Sequence, residues 1–288
     1  MQLVLHIGAY GTTWQPIARW LATNRDDLRG QGLLVPTPPE FMAAIQAAMA
    51  EPPDADPLAR EERLVRSLGA ARDRRRIVLS IPGLAIRRHD VISPRGFYIQ
   101  GVSRRLSALR RLFPRTRFTV MLSVAPASQC LPRLLSDGSA PVDALVSLGE
   151  ETLPWGALVA TIRQGLPDAR VVIWQDADLP HVWHRVLSTF VGPERYLPAP
   201  GLASFAGLGL TREGRVRLDQ RLKAEPPRRV SDILSAVSEL APDHRAPFPR
   251  TALSALPPWA ARQVSCLDLG HPTEWADIQG QAGVTILD

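Results

Sequence analysis

The residues best suited to chemistry come early in the chain. An apolar run from Gln2 to Ile7 leads into Gly8, Ala9, Tyr10, Gly11, Thr12 and Thr13, and a helical pattern follows from Trp14. A strand, a glycine turn and a helix N-terminus together present unpaired backbone N–H groups and a partial positive charge, which suits a phosphate or another anion. The hydroxyls of Thr12 and Thr13 add donors. The lysine of a nucleoside-triphosphate loop is absent, since the chain's single lysine is Lys223, and this argues against a Walker-type ATPase or kinase.

Other groups compete for attention. Asp176, Asp178, His181 and His184 form a DxDxxHxxH run in which two imidazoles can share a helical face and hold a metal. Asp178 ahead of Pro180 equally reads as the N-cap of a structural helix, and that reading, with no metal, is preferred. Arg104, Arg105, Arg110 and Arg111, with Arg115 and Arg117 behind them, and Arg72, Arg74, Arg75 and Arg76 form basic runs. No aromatic side chains are interleaved with these arginines to stack on bases, so solvated helix faces are preferred over a nucleic-acid surface. Neither a GxSxG elbow nor an HExxH helix occurs.

Positioning the loop requires a scaffold, and short apolar runs alternating with helical patterns predict parallel strands joined by crossover helices. Strands are expected at Gln2 to Ile7, Arg76 to Ile81, Arg117 to Val124, Arg170 to Trp174 and Val284 to Leu287. Most are continuously apolar, as befits a sheet covered on both faces. Trp14, Ile17, Leu21 and Leu28 mark one amphipathic helix; Val102, Leu106, Leu109 and Leu112 a second; Leu179, Val182, Val186 and Phe190 a third. Val230, Ile233, Leu234, Val237 and Leu240 mark another in a C-terminal part, residues 193–288, that reads as mainly helical. Proline clusters at Val35 to Pro39, Glu51 to Pro57, Pro193 to Gly209 and Ala246 to Pro258 are expected to be loops; of these Pro193 to Gly209 is the best candidate for a mobile lid or hinge, with an ordinary long connector the preferred reading.

The predicted fold is a single α/β domain over residues 1–288, a three-layer α/β/α sandwich with a central parallel sheet and helical C-terminal additions. With 288 residues, 45% hydrophobic and 22% charged, the chain is long enough to bury a large core and lacks a disordered composition. No window is long and apolar enough to span a membrane, and the chain opens on a strand-like segment in place of a leader. Cys130 and Cys266 are the only cysteines, too few for a disulfide framework, which points to the cytoplasm. A net charge of +6 is compatible with a nucleotide or other anionic ligand.

Taken together, LHIGAYGTTWQ at Leu5 to Gln15, GLLVP at Gly32 to Pro36, GFYIQGVSRRLSALRRLFP at Gly96 to Pro114, VIWQDADLPHVW at Val172 to Trp183, PPWAARQV at Pro257 to Val264 and AGVTIL at Ala282 to Leu287 resemble the bacterial sulfotransferase-like proteins. These have a P-loop fold and use 3'-phosphoadenosine 5'-phosphosulfate. The resemblance covers essentially the whole chain and implies that Gly8, Gly11, Thr12 and Thr13 hold the 5'-phosphosulfate.

Three departures accompany it. The family loop carries a lysine that neutralises the departing bridge between phosphate and sulfate; here the loop is two residues shorter and Tyr10 meets Gly11 directly. Family members hold the 3'-phosphate with an arginine and a serine after the third strand, where MLSVAPASQCLPRLL places Ser123 or Val124 and Leu131 or Pro132. Arg133 is the candidate substitute. The family's general base, His or Glu after the second strand, falls at Ile81 or Pro82 in LSIPGLAIRRHD, leaving His89, beside Asp90, as the candidate catalytic base. The expectation is therefore a sulfotransferase-like protein with a degraded cofactor site acting in binding or as an accessory protein. The alternative is an active enzyme transferring a sulfuryl group to a hydroxyl of a carbohydrate or small metabolite, with arginines replacing the lysine. That alternative requires Arg133, Arg87 or Arg88 to project into the cleft above Gly8 to Thr13.

Overall fold

The computed structural model describes residues 1–8, 10–52, 54–69, 76–84, 91–93, 96–97, 101–136, 142–148, 153, 155–246 and 253–288. Six parallel strands form the sheet: β1 (Gln2–His6), β2 (Leu33–Leu34), β3 (Arg76–Ser80), β6 (Arg117–Val124), β7 (Arg170–Gln175) and β8 (Val284–Ile286). Their order is β2-β3-β1-β6-β7-β8, and a separate antiparallel pair joins β4 (Ile92–Ser93) to β5 (Gly96–Phe97). Leu3, Val4 and Leu5 are all fully buried, because helices cover both faces of the strand.

Alternate strand positions feed two cores. Leu3, Leu5 and Ile7 point to the face covered by α3 (Pro38–Met49), α4 (Pro57–Ser67), α5 (Val102–Leu112), α6 (Ala127–Ser136), α7 (Trp155–Gly165), α12 (Pro258–Leu269) and α13 (His271–Gln279). Val4, Val78, Met121, Val172 and Trp174 point to the other, under α1 (Gln15–Thr23), α2 (Arg25–Gly30), α8 (Leu179–Val191), α9 (Leu202–Ala206), α10 (Arg212–Ala224) and α11 (Val230–His244). This is the three-layer α/β/α arrangement that the alternating pattern predicts. Among the described residues, no helix is long and apolar enough to cross a membrane.

The strand order positions the loop. From β1 the chain runs out to the edge strand β2 and comes back to β3 on one side, and it then crosses to β6, β7 and β8 on the other. The two halves part between β1 and β6, and it is beyond the carboxyl ends of strands at such a switch point that open parallel sheets usually bind ligands. Gly8 and residues 10–13 stand at that place.

Some expectations need adjustment. The stripe from Trp14 to Leu28 belongs to two helices, not one: α1 and α2 part at Asn24, whose Nδ2 donates to the Trp20 carbonyl (2.8 Å) and the Pro200 carbonyl (3.0 Å). β2, β4 and β5 are two residues each, too short for alternation to reveal. Residues 193–209 are a packed connector in which Leu202, Phe205 and Ala206 are buried and Phe205 stacks on Trp183 at 6.1 Å between ring centres.

One helix contact on the α7 side carries a pH prediction. Glu274 on α13 accepts a hydrogen bond from the Gly156 N–H (3.1 Å) in the first turn of α7. Burial pushes its carboxyl up to about 7, against the pull of that N–H. Because the folded-state value lies above the unfolded one, its contribution is fully present below about pH 4.5 and is lost as pH rises through 7. Glu274→Gln, which keeps the acceptor and cannot ionise, should match the wild type at pH 4 and melt higher at pH 8. Parallel thermal melts at the two pH values check this; an equal offset at both would refute it.

Candidate functional site

β1 ends at His6, and the Ile7 N–H continues the sheet by donating to the Met121 carbonyl at 3.1 Å. The chain then turns through Gly8 (φ 46°) and Gly11 (φ 87°), both left-handed, and α1 begins only at Gln15, after Trp14 donates to the Thr12 carbonyl. Pro16 occupies the first turn of α1 and has no N–H, so that helix end offers fewer donors than the sequence pattern suggests. The donors come instead from Thr13 and from α6.

Those donors converge on one side chain. The Thr13 N–H donates to Asp176 Oδ1 at 2.7 Å, while Asp176 Oδ2 accepts from the Thr13 hydroxyl at 2.9 Å, Gln129 Nε2 at 3.0 Å and Arg133 Nη1 at 3.2 Å. Arg133 Nη1 also lies 3.2 Å from the Gly11 carbonyl and 3.3 Å from Thr13 Oγ1. Beneath them Ser123 Oγ donates to Thr12 Oγ1 at 2.9 Å, with both residues buried. Asp176 itself is 0% exposed and follows β7, two strands from β1. Burial pushes its carboxyl up, opposed by the Thr13 N–H and by Arg133. A backbone N–H, an amide and a guanidinium supply protons and accept none, so the contacts select the ionised carboxylate.

The loop is also covered. A Cβ at Gly11 would lie 2.5 Å from the Cys130 carbonyl oxygen, and one at Gly8 would lie 3.1 Å from Pro82 Cγ. The Tyr10 hydroxyl approaches Gly83 similarly, at 3.2 Å from the place a Cβ would take. Pro82 and its buried neighbour Ile81 therefore pack beside the loop, and neither can take a proton. Leu131 and Pro132 are buried within α6.

Of the residues singled out from sequence, Gly11, Thr12, Thr13 and Arg133 come together, with Gly8 at the loop's entry. His89, Asp90, Arg87 and Arg88 lie outside the described residues, as do Arg72, Arg74 and Arg75. The DxDxxHxxH run does not converge: Asp176 turns to the loop, Asp178 is the N-cap of α8 without a side-chain cap bond, His181 is exposed and His184 half-buried. Among the described residues no group of three or more His, Cys, Asp or Glu side chains is placed to hold a metal. Gln129 and the central part of Asp176 were not signalled by the loop motif. The available signal was an acidic residue directly after a buried apolar strand.

A second polar pair lies deeper. His6 Nδ1 is 2.9 Å from Ser80 Oγ, and its ring stacks on Trp174 at 5.7 Å and meets Phe190 edge-on at 6.2 Å. Complete burial pushes the imidazole down to about 3, which keeps it neutral and makes it a poor base. Comparison with protein-family models, curated proteins and solved structures finds no match to this chain.

Proposed function

We propose that this chain is a sulfotransferase-like protein with a degraded cofactor site, catalytically impaired and acting in binding or as an accessory protein. The observation carrying this reading is the Asp176 carboxylate on Thr13 and Arg133. The residues present do not fit 3'-phosphoadenosine 5'-phosphosulfate: an incoming phosphosulfate meets a buried negative charge, with no loop lysine to offset it. Loss of the lysine, of the 3'-phosphate anchors and of the base each removes a different element of the reaction. This reading rests on resemblance and site chemistry together, since a fold alone carries no function.

One observation favours the alternative, an active enzyme sulfating a carbohydrate or small metabolite: Arg133 reaches the loop, as that reading requires. Its guanidinium is ion-paired with Asp176 at 3.2 Å, which weighs against it. Calorimetric titration with adenosine 3',5'-bisphosphate at low salt, followed by a salt series, decides between them. No heat of binding at millimolar nucleotide is the expected result. Micromolar binding that weakens with salt would overturn the proposal and justify an acceptor screen.

A further inference from the structure

We propose that Asp176 is an intramolecular anion holding closed an otherwise complete carboxylate site, and that the emptied site binds a small monocarboxylate when the Asp176 side chain is removed. The inference builds on the preceding reading of the loop, yet it fails on different evidence.

The cradle and its occupant belong to separate elements. Thr13 lies in the loop after β1, Gln129 and Arg133 lie on α6, and Asp176 enters from the end of β7. Truncating Asp176 therefore removes none of the donors. Two of them are held independently: Arg133 also bonds the Gly11 carbonyl and Thr13 Oγ1, and the loop is fastened by the Ser123 to Thr12 hydrogen bond. The four donor contacts span 2.7–3.2 Å, within hydrogen-bond range, and surround two carboxylate oxygens. Arg133 keeps 23% of its side chain exposed and Thr13 is half-buried, so an ion can enter beside them. In the native chain an outside anion competes with a tethered carboxylate at very high effective concentration, so the site stays shut unless Asp176 moves.

Removing the side chain beyond Cβ leaves room for a carboxylate bearing nothing larger than hydrogen. Formate fits this description; the methyl of acetate collides with the alanine Cβ, and tetrahedral phosphate carries oxygens that face no donor. The test is thermal melting of Asp176→Ala in formate, acetate, phosphate and chloride at equal ionic strength. Formate at about ten times its Kd should raise the melting temperature by roughly 3 °C, saturably and more than the other anions. The wild type should respond equally to all four. Asp176→Asn, which still fills the space, should show no formate preference, and adding Arg133→Ala to Asp176→Ala should abolish it. If Asp176→Ala does not fold in chloride, recovery of folded protein in formate supports the proposal, and failure in every anion overturns it. A response in which formate matches chloride, or in which Asp176→Asn follows Asp176→Ala, also overturns it. Nucleotide binding by the wild type would sink the proposed function, but it would leave this outcome to be decided by the variants.

Discussion

Gly11→Ala should destabilise the protein by about 2 to 5 kcal/mol, because two independent costs fall on one methyl group. The first is conformational. At φ 87° an L-residue is strained, and a left-handed alanine costs about 1–2 kcal/mol. The second is steric: the new Cβ would stand 2.5 Å from the Cys130 carbonyl oxygen, a backbone atom of α6 that no rotamer change can move. Forced separation of loop and helix adds about 1–3 kcal/mol. Gly32→Ala provides the control, since Gly32 is also left-handed (φ 79°) but has nothing within 4 Å of the added carbon. Urea unfolding of both variants isolates the steric part. Equal midpoints for the two would show that the loop does not press on α6 as described.

Asp176→Ala is the second large effect, with an expected loss of about 3 kcal/mol, the low end for breaking a buried ion pair, because Arg133 retains some solvent contact. The loss has a specific origin. The Thr13 N–H and hydroxyl and Gln129 lose this acceptor, Arg133 loses its carboxylate partner while keeping the Gly11 carbonyl, and the ties from β7 to the loop and to α6 are cut together. Arg133→Ala should cost less, since Asp176 keeps Thr13 and Gln129 as donors. A double-mutant cycle measured by urea unfolding gives the coupling, provided that the slope with denaturant is unchanged. A loss below about 1 kcal/mol for Asp176→Ala would mean that the carboxylate is not a structural tie.

These effects show where sequence reading reaches and where it stops. The strands at Gln2, Arg76, Arg117 and Arg170 were legible because burial on both faces demands uninterrupted apolar runs, and the half-buried edge strand at Val284 because it too is a short β-branched run. β2 escaped because two residues carry no periodicity, and the break at Asn24 escaped because a capped junction preserves the apolar stripe on both sides. Gly8, Gly11, Thr12 and Thr13 were legible as a group because a strand-to-helix turn is local. Arg133 was found only as a nearby cation. Whether it faced solvent or the loop depended on how α6 packs against the loop after β1.

By itself the sequence determined the class of fold, the place of the loop and the absence of a lysine there, since each follows from composition or from neighbours along the chain. Only the tertiary structure decided what that loop does with its donors. Thr13 and Asp176 are 163 positions apart, and no local pattern links them. They meet because the strand order sets β7 beside β6 and β6 beside β1, so that the residue following β7 ends at the height of the loop. Once there, a buried carboxylate must find donors or lose its charge, and the donors within reach are the Thr13 N–H and hydroxyl, Gln129 and Arg133.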